Sequence, residues 1–349
     1  MPEICLALML AGITAYALLG GADFGAGLWD LTAGGDRRGG PVRGMVERSM
    51  SPVWEANHVW LIFVLVIFWT AFPVAFGSVM SSLYVPLFLA ALGIIFRGTA
   101  FALRGQAATI REARGLGATF ALSSVIVPFC LGATLGGVAS GRVEVGNALA
   151  DPWSVWLNPT GILIGVLAVL TGAYLAAIYM AADSVRAGVG ELADAFRARA
   201  LGAAVLLGVV ALGGILVLRS DARALYDGLT SGGGLVMVLL SAVAGSATLW
   251  LVWSRRFGPA RVSAAAAVTC ITVGWALAQS PDLLPGQLTL DEAAAPDAVL
   301  TAVLVTAGLG FVVLVPSLWY LYRLVLRGQL DQEYEPLDQR FRPDEPVQE

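Results

Sequence analysis

Nine apolar runs, most of them about 20 residues or longer, follow one another from the N-terminus to about residue 322, and no soluble core could hide them all. They cover approximately residues 4–32, 52–77, 79–103, 116–138, 158–182, 200–218, 233–253, 262–280 and 298–322. Crossing a hydrocarbon layer of about 30 Å takes roughly 20 helical residues, so each run is a candidate span. The runs are continuous and do not alternate, which favours helices over a barrel. A composition with 58% hydrophobic and 13% charged residues and a mean hydropathy of +0.78 leaves no material for a large soluble domain. The expected fold is an all-α polytopic membrane protein with nine transmembrane helices.

Every basic residue is an arginine, and arginines orient membrane proteins. With nine spans, one side holds the connections around 34–51, 104–115, 183–199 and 254–261, together with the C-terminal tail. All but four of the 21 arginines fall there; the exceptions are Arg97, inside a span, and Arg142, Arg219 and Arg223 on the other side. The expected orientation therefore puts the N-terminus outside and the C-terminus in the cytoplasm. Residues 1–325 read as one membrane domain, and 326–349, polar and acidic with Pro336, Pro343 and Pro346, as a flexible cytoplasmic tail. The first run lacks a preceding basic residue and reads as a retained span, not a cleaved signal. Cys5, Cys130 and Cys270 have no metal-like spacing and read as small packed hydrophobes. Neither a metal site nor a nucleic-acid motif is evident.

Ionisable groups inside a span cost on the order of 2.5 to 3.5 kcal/mol each, so they need a partner or a purpose. Three stand out: Asp23 in GADFGAGLWD, Glu55 in PVWEANHVW and Arg97 in GIIFRGTAF. At about 1.5 Å per residue they lie roughly 15, 6 and 10 Å from the arginine-rich side. Neighbouring helices could bring them into one polar pocket, with Asn57 and His58 adding hydrogen-bonding groups and Gly20, Gly21, Gly25 and Gly27 admitting a second helix closely. Such a pocket suits proton movement, although charges that merely balance one another would leave the same pattern. Asp30 reads as a solvated helix end. A single histidine, His58, and seven scattered methionines do not suit a subunit that holds several haems itself.

At these residues the sequence resembles subunit II of the cytochrome bd family of quinol oxidases. GADFGAG is similar to the first-helix signature D-G-F-D-x-G-x-G, with Gly20 where the family often has aspartate. SPVWEANHVWLI is similar to A-P-x-W-[DE]-[GA]-N-x-x-W-L, and FRGTAFALR to F-R-x-x-x-F-x-x-R. LNPTGILIGV and SPDLLPGQLTLDEAAAP resemble two later segments, in the expected order. The resemblance implies two four-helix bundles plus one peripheral helix, in a bacterial cell membrane. The partner is a subunit I that carries b-type and d-type haems, with small accessory subunits and membrane lipids around the pair. The complex would oxidise quinol and reduce oxygen to water. Subunit II would bind no haem, hold no catalytic residue of its own and stabilise subunit I. By position, Asp23, Glu55, Asn57 and Arg97 would belong to a cytoplasmic proton path, and Trp60 to an oxygen passage. In some members a structural quinone also lies against this subunit.

Two other readings fit the residues. A secondary transporter would also use interior charges and glycine-broken helices, and would work alone. A purely structural subunit would support its partner and handle no protons. The first and fifth runs, LMLAGITAYALLGGAD and GVLAVLTGAYLAAIYMAAD, share a weak similarity that hints at an internal repeat.

Overall fold

The computed structural model describes residues 1–50, 53–146, 151–327 and 329. Its helices are α1 (Pro2–Leu31), α2 (Asp36–Met50), α3 (Trp54–Ala71), α4 (Pro73–Ser82), α5 (Tyr84–Arg104), α6 (Ile110–Ala139), α7 (Pro159–Arg186), α8 (Gly190–Asp221), α9 (Arg223–Leu229), α10 (Gly232–Trp253), α11 (Phe257–Gln279), α12 (Leu290–Ala293) and α13 (Asp297–Leu326). A two-stranded hairpin, β1 (Asp282–Leu284) and β2 (Leu288–Thr289), precedes α12. Among the described residues nine helices are long and apolar enough to span a membrane: α1, α3, α5, α6, α7, α8, α10, α11 and α13. The protein is thus the expected all-α polytopic membrane protein. Of the tail expected over 326–349, residues 328 and 330–349 lie outside the described residues, as do Ser51 and Pro52 of the SPVWEANHVWLI segment.

Helix α1 is central, packing against α3, α6 and α7, while α5 lies on α6, α8 on α7 and α10 on α11. The two similar segments thus lie on helices that touch each other. Their approach is very close: a Cβ on Gly25 would sit 1.9 Å from the carbonyl oxygen of Gly172. Glycine at both positions is what lets the backbones meet. Gly27 does the same for α6, leaving room for the Ser124 side chain, whose oxygen would lie 2.1 Å from an added Cβ. The glycines of GADFGAG thus open two faces of one helix.

Two apolar cores lie toward opposite ends of the spans. One gathers Val42, Met45 and Val46 of α2 with Ala176, Ile178 and Met180 of α7 and Phe257 of α11. The other joins Cys5 of α1, Phe72, Leu83, Trp156 and the hairpin residue Leu284. Cys130 is buried with Phe24, Ala90 and Val127.

Two departures from the expected elements have local causes. The second run does not continue to residue 77: the helix stops at Ala71, Phe72 leaves the helical region at φ −135° and ψ 60°, and Pro73 starts a new helix. Proline disfavours helical backbone in the residue before it and suits the first helical turn. The loop of the late SPDLLPGQLTLDEAAAP segment closes over this break, with the Ala295 N–H donating to the Ala71 carbonyl at 2.8 Å. That loop is stiffened by a capping box between Thr289 and Glu292, whose hydrogen bonds hold the Glu292 carboxyl below the usual carboxylate range. The second departure is α2, a helix where a connection was expected. Gly39, Gly40 and Pro41 signal a loop, yet burying Val42, Met45, Val46 and Met50 outweighs that local preference.

Candidate functional site

Helix α1 carries two carboxylates inward on one face, Asp23 and Asp30, about 10 Å apart along its axis. Both are buried, at 7% and 4% exposure. Their surroundings are quite different.

The Asp23 carboxylate is held by a neutral group. Asn57 of α3, 3% exposed, donates from Nδ2 to Asp23 Oδ2 at 2.6 Å. The Tyr322 hydroxyl of α13 in turn donates to Asn57 Oδ1 at 2.7 Å. Arg97 of α5 is 1% exposed and lies beside this group, but it addresses the backbone. Its Nη2 donates to the Asp23 carbonyl oxygen at 3.1 Å and its Nε to Ser124 Oγ at 3.1 Å. The guanidinium stacks 4.7 Å from the Phe24 ring centroid and 5.1 Å from that of Phe120, a desolvated cation between two aromatic faces. Among the described residues no salt bridge joins Arg97 to the Asp23 carboxylate, so the direct charge pairing considered for them is replaced by hydrogen bonds. Arg97 ties α5 to α1 and α6.

Glu55 does not join this group. In the first turn of α3 it is exposed, about 200° around the helix from Asn57, so the two point to opposite sides. The single pocket expected for Asp23, Glu55 and Arg97 therefore forms around Asp23, Asn57 and Arg97, without Glu55. His58 lies between the rings of Tyr16, Phe24 and Trp54, with Nδ1 3.2 Å from the Tyr16 hydroxyl. Trp60 is half-buried and edge-on to Phe63, and its indole N–H has no acceptor among the described residues.

Asp30 is not a solvated helix end. Arg43 of α2 donates from Nε to its Oδ1 at 2.8 Å, and Arg104 of α5 from Nη1 to its Oδ2 at 2.9 Å. Each oxygen thus has its own guanidinium, and one carboxylate ties α1, α2 and α5 together. The sequence hid this because Asp30 stands at the end of an apolar run, where a solvated acid is the ordinary reading. Two similar pins lie elsewhere: Asp183 with Arg186 and Arg261, and, at the other end of the spans, Asp221 with Arg142 and Thr160.

The two α1 sites permit different chemistry. At Asp23 a proton can be gained or lost at a carboxylate oxygen without breaking an ion pair, because the partner is an amide. At Asp30 any such change would disturb two charge-assisted hydrogen bonds. Tyr322, Tyr16 and Ser124 were not foreseen as neighbours of the site; a tyrosine near the end of an apolar run reads as an interfacial ring, and nothing in its spacing points to α3. Among the described residues no group of three or more His, Cys, Asp or Glu side chains comes together to hold a metal ion.

Comparison with known proteins places this chain in a family. Residues 1–325 match the family described as cytochrome bd terminal oxidase subunit II. The chain is 28% identical over 209 residues to the cytochrome bd-I ubiquinol oxidase subunit 2 of Escherichia coli, covering 58% of this chain and 53% of that one. It is 27% identical over 156 residues to the cytochrome bd ubiquinol oxidase subunit 2 of Bacillus subtilis, covering 44% and 45%. These alignments span about half the length of each relative. The fold is shared with a chain of the bd oxidase from Geobacillus thermodenitrificans at a TM-score of 0.74 and 24% identity, covering 93% of this chain and 98% of that one. From the extent of the family match, the chain belongs to the cytochrome bd terminal oxidase subunit II family.

Proposed function

We propose that the chain serves as the haem-free subunit of a terminal oxidase that couples quinol oxidation to the reduction of oxygen to water. In this reading the b-type and d-type haems belong to a partner subunit I, which this chain stabilises. Its only histidine is wedged among Tyr16, Phe24 and Trp54 and shares a hydrogen bond with Tyr16, an environment suited to packing more than to axial ligation. The arginine-rich ends of the helices face the cytoplasm, which leaves the N-terminus outside.

Protons for the reduced oxygen enter from that arginine-rich side, and Asp23 is the buried carboxylate that handles them. The observation that carries this reading is its partner: a carboxylate sunk in the protein and bonded to neutral Asn57 can change protonation without dissolving a salt bridge. Arg97 fixes the Asp23 backbone and supplies positive charge nearby. Glu55, exposed on the opposite face of α3, acts at the surface that subunit I would cover, and Trp60 borders an oxygen passage.

The test is Asp23→Asn in the complex purified through this chain. Oxygen consumption with quinol should fall by about tenfold or more, equivalent to at least about 1.4 kcal/mol of barrier, while the haem spectrum stays intact. A normal rate would remove Asp23 from the path. Purification of a colourless, solitary protein would instead favour a transporter.

A further inference from the structure

We infer that Tyr322, on the last helix, is a positioning residue for Asp23: by donating to Asn57 Oδ1 it holds and polarises the Asn57 amide, strengthening the N–H that faces the carboxylate. This inference rests on the proton-handling reading of Asp23 given above.

The geometry of the chain is short at both links. Tyr322 to Asn57 is 2.7 Å and Asn57 to Asp23 is 2.6 Å, and Asn57 is 3% exposed, so water does not compete freely for the amide. An amide has one accepting end and one donating end, and a buried amide can be turned over to exchange them. With Nδ2 toward Asp23, the carboxylate receives a donor and the phenol satisfies Oδ1. Turned over, Oδ1 would face Asp23, which is favourable only if the acid carries a proton to donate. A phenol can accept as well as donate, so it is the charged carboxylate that selects this orientation; the phenol hydrogen supports it by satisfying Oδ1 and strengthening the N–H donor. An amide does not itself relay a proton in this arrangement, so the role of the pair is to position Asp23 and weight its two protonation states.

Helix α13 is otherwise lightly attached. It packs on α3 and α1 and is exposed along most of its length. Among the described residues only two of its side chains hydrogen-bond to another element: Tyr322, and Thr301, whose hydroxyl lies 3.5 Å from the sulfur of Met1. Tyr322 stands about 6 Å from the arginine-rich end of α13, and Asn57 about 4.5 Å from the corresponding end of α3, whereas Asp23 lies deeper. The polar line thus runs inward from that surface, and its outermost member sits on the most loosely held span.

The groups facing Asp23 come from several elements. They are Arg97 from α5, Tyr16 from α1 itself with His58 of α3 against it, Asn57 from α3 and Tyr322 from α13. From α6 come Ser124 and the Phe120 ring, both engaged by Arg97, and from α7 the backbone at Gly172. Among these, Tyr322 alone bonds to the far side of the Asn57 amide.

The test uses the purified complex of this chain with its haem-bearing partner. Tyr322→Phe removes only the phenol oxygen. Loss of a donor that favours the charged carboxylate should move the pH profile of oxygen consumption upward by about one unit. An infrared band of the protonated Asp23 carboxyl, identified by its loss in Asp23→Asn, should titrate with the same upward displacement. In the double variant Asp23→Asn with Tyr322→Phe, the hydroxyl deletion should add nothing to the slowing caused by Asp23→Asn alone. An unshifted profile and band in Tyr322→Phe would overturn the inference while leaving Asp23 in the path. Failure of Tyr322→Phe to assemble with its haems would also overturn it, by giving the phenol a structural role. If Asp23→Asn itself ran at the normal rate, the proton-handling reading would be lost and this inference with it.

Discussion

Asp23 and Asp30 are the same residue type, on the same face of the same helix, and almost equally buried, yet one is bonded to an amide and the other to two arginines. The contrast separates two uses of a buried acid. Asp30 sits where three helices meet near the arginine-rich end, and its two guanidinium contacts turn α2 and the end of α5 into fixtures of α1. Asp23 sits deeper, where the nearby cation, Arg97, is occupied by a backbone carbonyl, a serine and two aromatic rings. Burial alone therefore does not distinguish the two acids; the charge of the partner does, and it is on that difference that the proposed role of Asp23 rests.

If that contrast is right, the larger structural effect belongs to Asp30. Asp30→Ala takes the common acceptor from Arg43 and Arg104, and removing one member of a buried ionic group costs about 3 kcal/mol or more. Poor yield of the assembled complex and a large drop in its thermal midpoint are expected; an Asp30→Ala complex as heat-stable as the parent would show that the pair of arginines contributes nothing. Arg97→Leu should come next. It removes two buried hydrogen bonds and two cation–aromatic contacts, for about 2 kcal/mol after the leucine recovers some packing. Its signature is lowered thermal stability, read by heat-induced loss of the haem spectrum, and an unchanged midpoint would deny Arg97 its bracing role.

Much of this protein was legible in its sequence because hydrocarbon is an unforgiving solvent. Each span must be apolar and about 20 residues long, so the nine helices could be counted from hydropathy, and Asp23 and Arg97 stood out as charges within them. The glycines of GADFGAG were legible for the same reason: only small residues permit helices to approach so closely. What stayed hidden depends on rotation and partnership. Glu55 and Asn57 are two residues apart, and only the rotational setting of α3 decides that Asn57 turns inward while Glu55 turns out. Asp30 was misread because its arginines come from α2 and α5. Tyr322 was missed because it meets Asn57 from the far end of the chain. The helix α2 was missed because its 15 residues are too few and too polar to span, and its apolar face shows its value only against α7.

Glu55 offers the sharpest remaining test of the distinction between the two acids, because it has neither an amide nor an arginine among its described contacts. In this chain it is an exposed carboxylate at the first turn of α3, where a negative charge also complements the helix N-terminus. Glu55→Gln should therefore leave thermal stability within about 0.5 kcal/mol of the parent. If the partner subunit covers this face and completes the path there, turnover should nonetheless fall by about threefold, a barrier increase of about 0.7 kcal/mol, with haem content unchanged. Oxygen consumption and thermal midpoint measured on the same preparation separate the outcomes. Loss of both would class Glu55 with Asp30, as a brace that only the assembled complex reveals. Loss of neither would strike it from the proton path and leave Asp23 as its one carboxylate in this chain.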